Sequence, residues 1–128
     1  MTELVLDISN QNLVRRFVEY LLKDFDVNPK YIEIASTKLK GSHGMCIDLT
    51  EDGYLILVDE TDRNIGDIFV TIAHEMVHVK QFVKENLGWF IDNRSDIPYY
   101  QRWWEKEAFE KSVSYVEKFA KGLKNVHD

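Results

Sequence analysis

Residues 65–85 read IGDIFVTIAHEMVHVKQFVKE, a run whose apolar side chains recur at helical spacing. On a wheel of about 100° per residue, Ile65, Ile68, Phe69, Ile72, Met76, Val79 and Val83 fall in one stripe, which predicts a core-facing surface. Asp62 to Asn64 offer an N-cap and Asn86-Leu87-Gly88 a stop, so one helix is expected from Ile65 to Glu85. His74 and His78 stand one turn apart, about 40° from each other, on roughly the opposite side from the stripe.

The flanking sequence frames this helix. Upstream, Leu13, Val14, Phe17, Val18, Tyr20, Leu21 and Leu22 follow a cap at Ser9 or Asn10 and predict a first helix, broken at Asn28-Pro29. Three strands are expected next, at Tyr31 to Ala35, Met45 to Leu49 and Tyr54 to Val58. Thr37 to Gly44 forms a loop, and Glu51-Asp52-Gly53 turns a hairpin. Downstream, Trp89 to Tyr100 reads as a connection with Pro98 near its end, and a last helix runs from Arg102 to Leu123. The order α-β-β-β-α-α predicts an α+β fold, a small antiparallel sheet with helices packed on it.

At 128 residues, 45% hydrophobic and 30% charged, residues 1–128 make one domain able to bury a core without disulfides. Cys46 is the lone cysteine and sits in the apolar run Met45-Cys46-Ile47. It reads as an inert packed thiol, suited to a reducing, cytoplasmic setting. Met1 to Asp7 has no basic region or cleavage site of a signal peptide, and no apolar run approaches the length of a membrane span. A net charge of −6 repels phosphate backbones, so no nucleic-acid partner is expected. Lys30, Lys38 and Lys40 read as solvated loop charges.

The chemistry lies in His74-Glu75-Met76-Val77-His78. Two imidazoles at i and i+4 can aim one nitrogen each at a single ion, the geometry of the zinc-binding His-Glu-x-x-His motif. Glu75 lies beside them, off the ligand axis, where a carboxylate reaches a water on the metal and acts as general base. A catalytic zinc needs a third protein ligand, and the last helix carries Glu105, Glu107 and Glu110. Its inward face is predicted to comprise Ala108, Phe109, Ser112, Val116, Phe119 and Leu123, with Glu105 near its middle and Glu107 and Glu110 pointing outward. A carboxylate on an apolar face is costly unless a cation offsets its desolvation. Glu105 is therefore the expected ligand, and Glu107 the alternative.

With Trp104-Glu105-Lys106-Glu107-Ala108 downstream, its Glu105 27 residues after His78, the chain resembles the glutamate-ligand zinc peptidases, the gluzincins. It is most similar to compact intracellular and phage-borne members of the ImmA/IrrE and SprT-like kind. The resemblance spans Tyr54 to Phe119 and implies a minimal zincin-like domain. It implies zinc held by His74, His78 and Glu105, Glu75 as catalytic base, and hydrolysis of a protein or peptide substrate.

Tyr99, Tyr100 and His43 are candidate donors to a developing oxyanion, and Gln81 a candidate partner of His78 from one turn away. Met45 to Leu49 or Tyr54 to Val58 is a candidate strand for pairing with extended substrate, and Trp89, Phe90, Trp103 and Trp104 form an aromatic cluster. Two alternatives stand beside the peptidase reading: a zinc-stabilised, non-catalytic interaction or regulatory domain, and a metal-free acidic binding module.

Overall fold

A computed structural model describes residues 1–127. Strand β1 (Glu3–Asp7) leads into helix α1 (Gln11–Phe25), followed by β2 (Tyr31–Ser36), β3 (Gly44–Thr50) and β4 (Gly53–Val58). Helix α2 (Ile65–Lys84), the short α3 (Leu87–Asn93), a 3-10 turn at Tyr99–Gln101 and helix α4 (Trp103–His127) complete the chain. The α+β class expected from the sequence holds.

The sheet corrects the expected antiparallel arrangement. Its order is β1-β2-β4-β3, with β1 and β2 parallel, β2 and β4 parallel, and only β3 and β4 antiparallel. Strand β1 was not expected: it is short and lies at an edge, with Glu3, Val5 and Asp7 exposed and only Leu4 and Leu6 half-buried. Helix α1 is the crossover that returns the chain to lay β2 parallel to β1, and β4 then inserts between β2 and β3. The hairpin forms as expected, with Thr50, Glu51 and Asp52 all at positive φ and a register shift between Asp48 and Thr50.

One face of the sheet is covered. Ile32 and Ile34 of β2 and Tyr54, Ile56 and Val58 of β4 point into the core, while Tyr31, Glu33, Ala35, Leu55 and Leu57 on the other face stay half-exposed. Helix α1 contributes Val14, Phe17, Val18, Leu21, Leu22 and Phe25. Phe17 stacks on Phe69 at 5.0 Å and meets Phe119 at the same distance, so one ring ties α1 to both α2 and α4.

Helix α2 is where the wheel needs correction. Its apolar stripe is buried in the middle, at Ile68, Phe69, Ile72, Met76 and Val79, but Ile65 and Val83 at its ends are exposed. Every residue from Thr71 to Val79 is buried, the histidines included, because α4 covers the side opposite the sheet. The helix starts on Asn64, whose side chain accepts from the Asp67 N–H at 2.8 Å. It ends at Lys84, and α3 starts at Leu87 behind Asn86 in left-handed geometry, running from the expected stop into the stretch read as a connection. Among the described residues, no helix is long and apolar enough to cross a membrane.

Candidate metal centre

The two histidines sit mid-α2, where the helix is rigidly held between sheet and α4. Their rings are 5.0 Å apart and nearly perpendicular. Glu105 enters from the first turn of α4, and a single oxygen of it, Oε1, lies 3.0 Å from His74 Nε2 and 3.1 Å from His78 Nε2. Among the described residues these three form the one cluster able to hold a metal ion.

The donor set fits a divalent metal. Tetrahedral ligands about 2.1 Å from zinc stand roughly 3.4 Å apart, so the observed 3.0 and 3.1 Å need to open by only a few tenths of an ångström. Two imidazole nitrogens and a carboxylate oxygen suit zinc and, by ligand type, cobalt or manganese as well. Burial works to raise the Glu105 carboxyl, but the hydrogen bonds from His74 and His78 outweigh it and hold it well below the usual carboxylate range. Burial opposes the charged form of His78, and Glu105 overcomes it to push that imidazole upward.

Glu75 is buried beside this cluster and makes no contact with Glu105 of hydrogen-bond length. Burial pushes its carboxyl upward, against the pull of His78 and His74. Gly44, at the start of β3, passes directly over it. A Cβ at that position would stand 2.9 Å from Glu75 Oε2 and 2.6 Å from Thr71 Cγ2. Only a residue without a side chain lets β3 lie this close to α2.

Two cavities reach the histidines. One, of about 220 Å³, is walled by Met45, Cys46, Leu87, Ile91 and Trp104 and has His74, Glu75, His78 and Glu105 at its base. The other, of about 570 Å³, reaches His74 and Glu75 from the side of His43, Arg63 and Ser112. Tyr99 borders both, and its hydroxyl donates to Glu105 Oε1 at 3.1 Å. Burial, followed by the charge of Glu105, pushes this phenol up to about 12, so it keeps its proton at neutral pH. His43 is exposed at the rim of the wider cavity. Tyr100 is exposed and lines a separate groove with Tyr99, Glu105, Lys106, Phe109 and Glu110.

Two expectations for α4 change. Phe109, expected inward, is 60% exposed and sets its ring edge against His74 at 4.6 Å. Glu107, expected outward, is largely covered and accepts from Gln81 Nε2 at 2.8 Å and from Lys80 and Lys111 at 3.1 and 3.0 Å. Its own desolvation is overcome by these three donors, which bring its carboxyl down to about 2. Gln81 does meet His78, with Oε1 2.7 Å from Nδ1. Cys46 is half-buried on the cavity wall rather than sealed in the core, and desolvation, reinforced by Glu75, holds its thiol well above the ordinary range. The aromatic cluster packs α3 on the start of α4, with Phe90 5.2 Å from Trp103 and 5.9 Å from Trp104.

The fold and centre thus define an α+β protein with a His-His-Glu cluster at the floor of an open cleft. Comparisons with protein-family models, curated proteins and solved structures returned no match.

Proposed function

We propose that this protein is a zinc-dependent hydrolase, a gluzincin-like peptidase acting on a protein or peptide substrate in the cytoplasm. The observation that carries the reading is the convergence of His74 Nε2, His78 Nε2 and Glu105 Oε1 next to a buried Glu75 at the base of an open cleft. Zinc bound there supplies the Lewis acid that lowers the pKa of a water and polarises a carbonyl. Glu75, buried next to the two histidines, takes the proton of the attacking water and delivers it to the leaving nitrogen. Tyr99, protonated and at the cleft, is the donor assigned to the developing oxyanion, its one hydroxyl hydrogen turning there from Glu105 Oε1.

Substrate is assigned to β3 rather than β4. Strand β4 is paired on both sides, whereas β3 is an edge strand whose Gly44, Met45 and Cys46 line the cavity. Its free backbone groups can pair with an extended peptide, which would lie across the histidines.

The test compares wild type with Glu75→Gln on a peptide library, with zinc content measured in both. Glu75→Gln is expected to retain zinc and to lose about 10²- to 10⁴-fold in turnover. Equal turnover in the two proteins would refute the scheme. Zinc retained with no turnover in either would instead favour a non-catalytic domain stabilised by its metal.

A further inference from the structure

We infer that Glu107 is a positioning residue for the metal centre: through Gln81 it dictates which ring nitrogen of His78 is offered to a cation. The inference rests on the metal-binding reading above. Gln81 lies fully buried one turn beyond His78 on α2. Its amide nitrogen has two hydrogens, and both are used, one on the Trp104 carbonyl at 2.9 Å and one on Glu107 Oε1 at 2.8 Å. The Trp104 carbonyl can only accept, and Glu107 turns Oε1 to the amide while its other oxygen, Oε2, takes hydrogens from Lys80 and Lys111.

Reversing the amide would press its oxygen against two acceptors in a site closed to water, which is strongly unfavourable. The Gln81 oxygen must therefore face His78, and at 2.7 Å it accepts the Nδ1 hydrogen. That leaves Nε2 as the nitrogen turned toward His74 and Glu105. A ring oriented through its other nitrogen is the usual support of a metal-bound histidine, and here the support extends one residue further. Glu105 and Glu107, two positions apart on α4, then divide the work, one facing the cation and the other the amide behind it.

The experiment measures zinc affinity of the full chain by competition with a chromophoric chelator. The proteins are wild type, Gln81→Leu, Glu107→Ala, the double variant and Glu107→Gln, each checked for folding by circular dichroism. Gln81→Leu should weaken zinc about 10- to 100-fold, and Glu107→Ala about tenfold. The double variant should match Gln81→Leu to within about twofold, since Glu107 acts through the amide. Glu107→Gln still offers Gln81 an oxygen and should stay within about threefold of wild type. Nitrogen-15 spectra of the zinc-loaded protein should show the His78 proton on Nδ1.

Equal losses from Glu107→Ala with and without Gln81 would overturn the inference, as would zinc on Nδ1. If Glu107→Ala fails to fold, Gln81→Leu and Glu107→Gln decide: the inference stands if only the first loses zinc and falls otherwise. Wild type that binds no zinc would overturn the metal reading and this inference together. Zinc binding indifferent to Glu107 would overturn this inference alone.

Discussion

Replacing Gly44 by alanine probes the most crowded of the glycine positions. The backbone there is outside the left-handed region, so the glycine is required by space alone. The added Cβ would meet Thr71 Cγ2 at 2.6 Å, Glu75 Oε2 at 2.9 Å and Glu75 Cγ at 3.2 Å. Carbon atoms pack at about 3.5 Å or more, so strand and helix must separate by roughly 0.9 Å, or Glu75 must turn aside. Thr71 cannot rotate freely, because its hydroxyl accepts from Arg63. Overpacking of this kind costs about 1–3 kcal/mol. For a domain of this size about 2 kcal/mol lowers the melting temperature by roughly 6–10 °C. The ligands His74, His78 and Glu105 are not among the contacted groups, so zinc affinity should survive. Turnover should fall on the order of a hundredfold, because a base displaced by about 1 Å is no longer aligned. Thermal melts, chelator competition and peptide hydrolysis on the same preparation read the three quantities. Gly44→Ala with the wild-type melting temperature and undiminished turnover would refute the reasoning.

Asp59 offers a test in acid. Its carboxylate accepts from the Leu39 N–H at 3.1 Å and the Thr61 N–H at 2.9 Å, and these backbone bonds bring its pKa down to about 2 from 3.8. A depressed folded-state pKa contributes stability that is complete above the unfolded value and is lost as pH falls from about 4 through 2. The melting-temperature gap between wild type and Asp59→Asn should therefore be largest near neutrality and close toward pH 2; a gap independent of pH would contradict this. Zinc at a hundred times its dissociation constant should stabilise the protein by about 2.7 kcal/mol, reversibly on chelation, with His74→Ala unresponsive. That stabilisation should fade in acid, where protons compete for the imidazoles. A melting temperature that ignores both zinc and chelator would count against the metal centre.

Legibility in the sequence followed the range of the interactions. Helix α2 and its cap at Asn64, the strands β2 to β4 and the Asp52-Gly53 hairpin rest on periodicities and turn chemistry within a few residues, and each appears as expected. Pairing direction is a different matter. Alternation in β2 and β4 says which side chains face the core but carries nothing about which neighbour runs parallel, so the mixed sheet and the edge strand β1 went unseen. Glu105 was reachable because an isolated carboxylate on an apolar face is anomalous on a wheel. Glu107 was misread because its partners Gln81, Lys80 and Lys111 come partly from another helix.

Chain-local chemistry sufficed for helices α1, α2 and α4, strands β2 to β4, the i, i+4 pair His74 and His78, and the neighbouring Glu75, since helical geometry places all three without help from the rest of the chain. Long-range packing laid α4 across α2, bringing Glu105 Oε1 to 3.0 Å from His74, Gln81 against Glu107, and Gly44 over Glu75. Those meetings depend on how helices and strands far apart in the chain pack, and packing is set by the fit of whole surfaces rather than by any periodicity within one element.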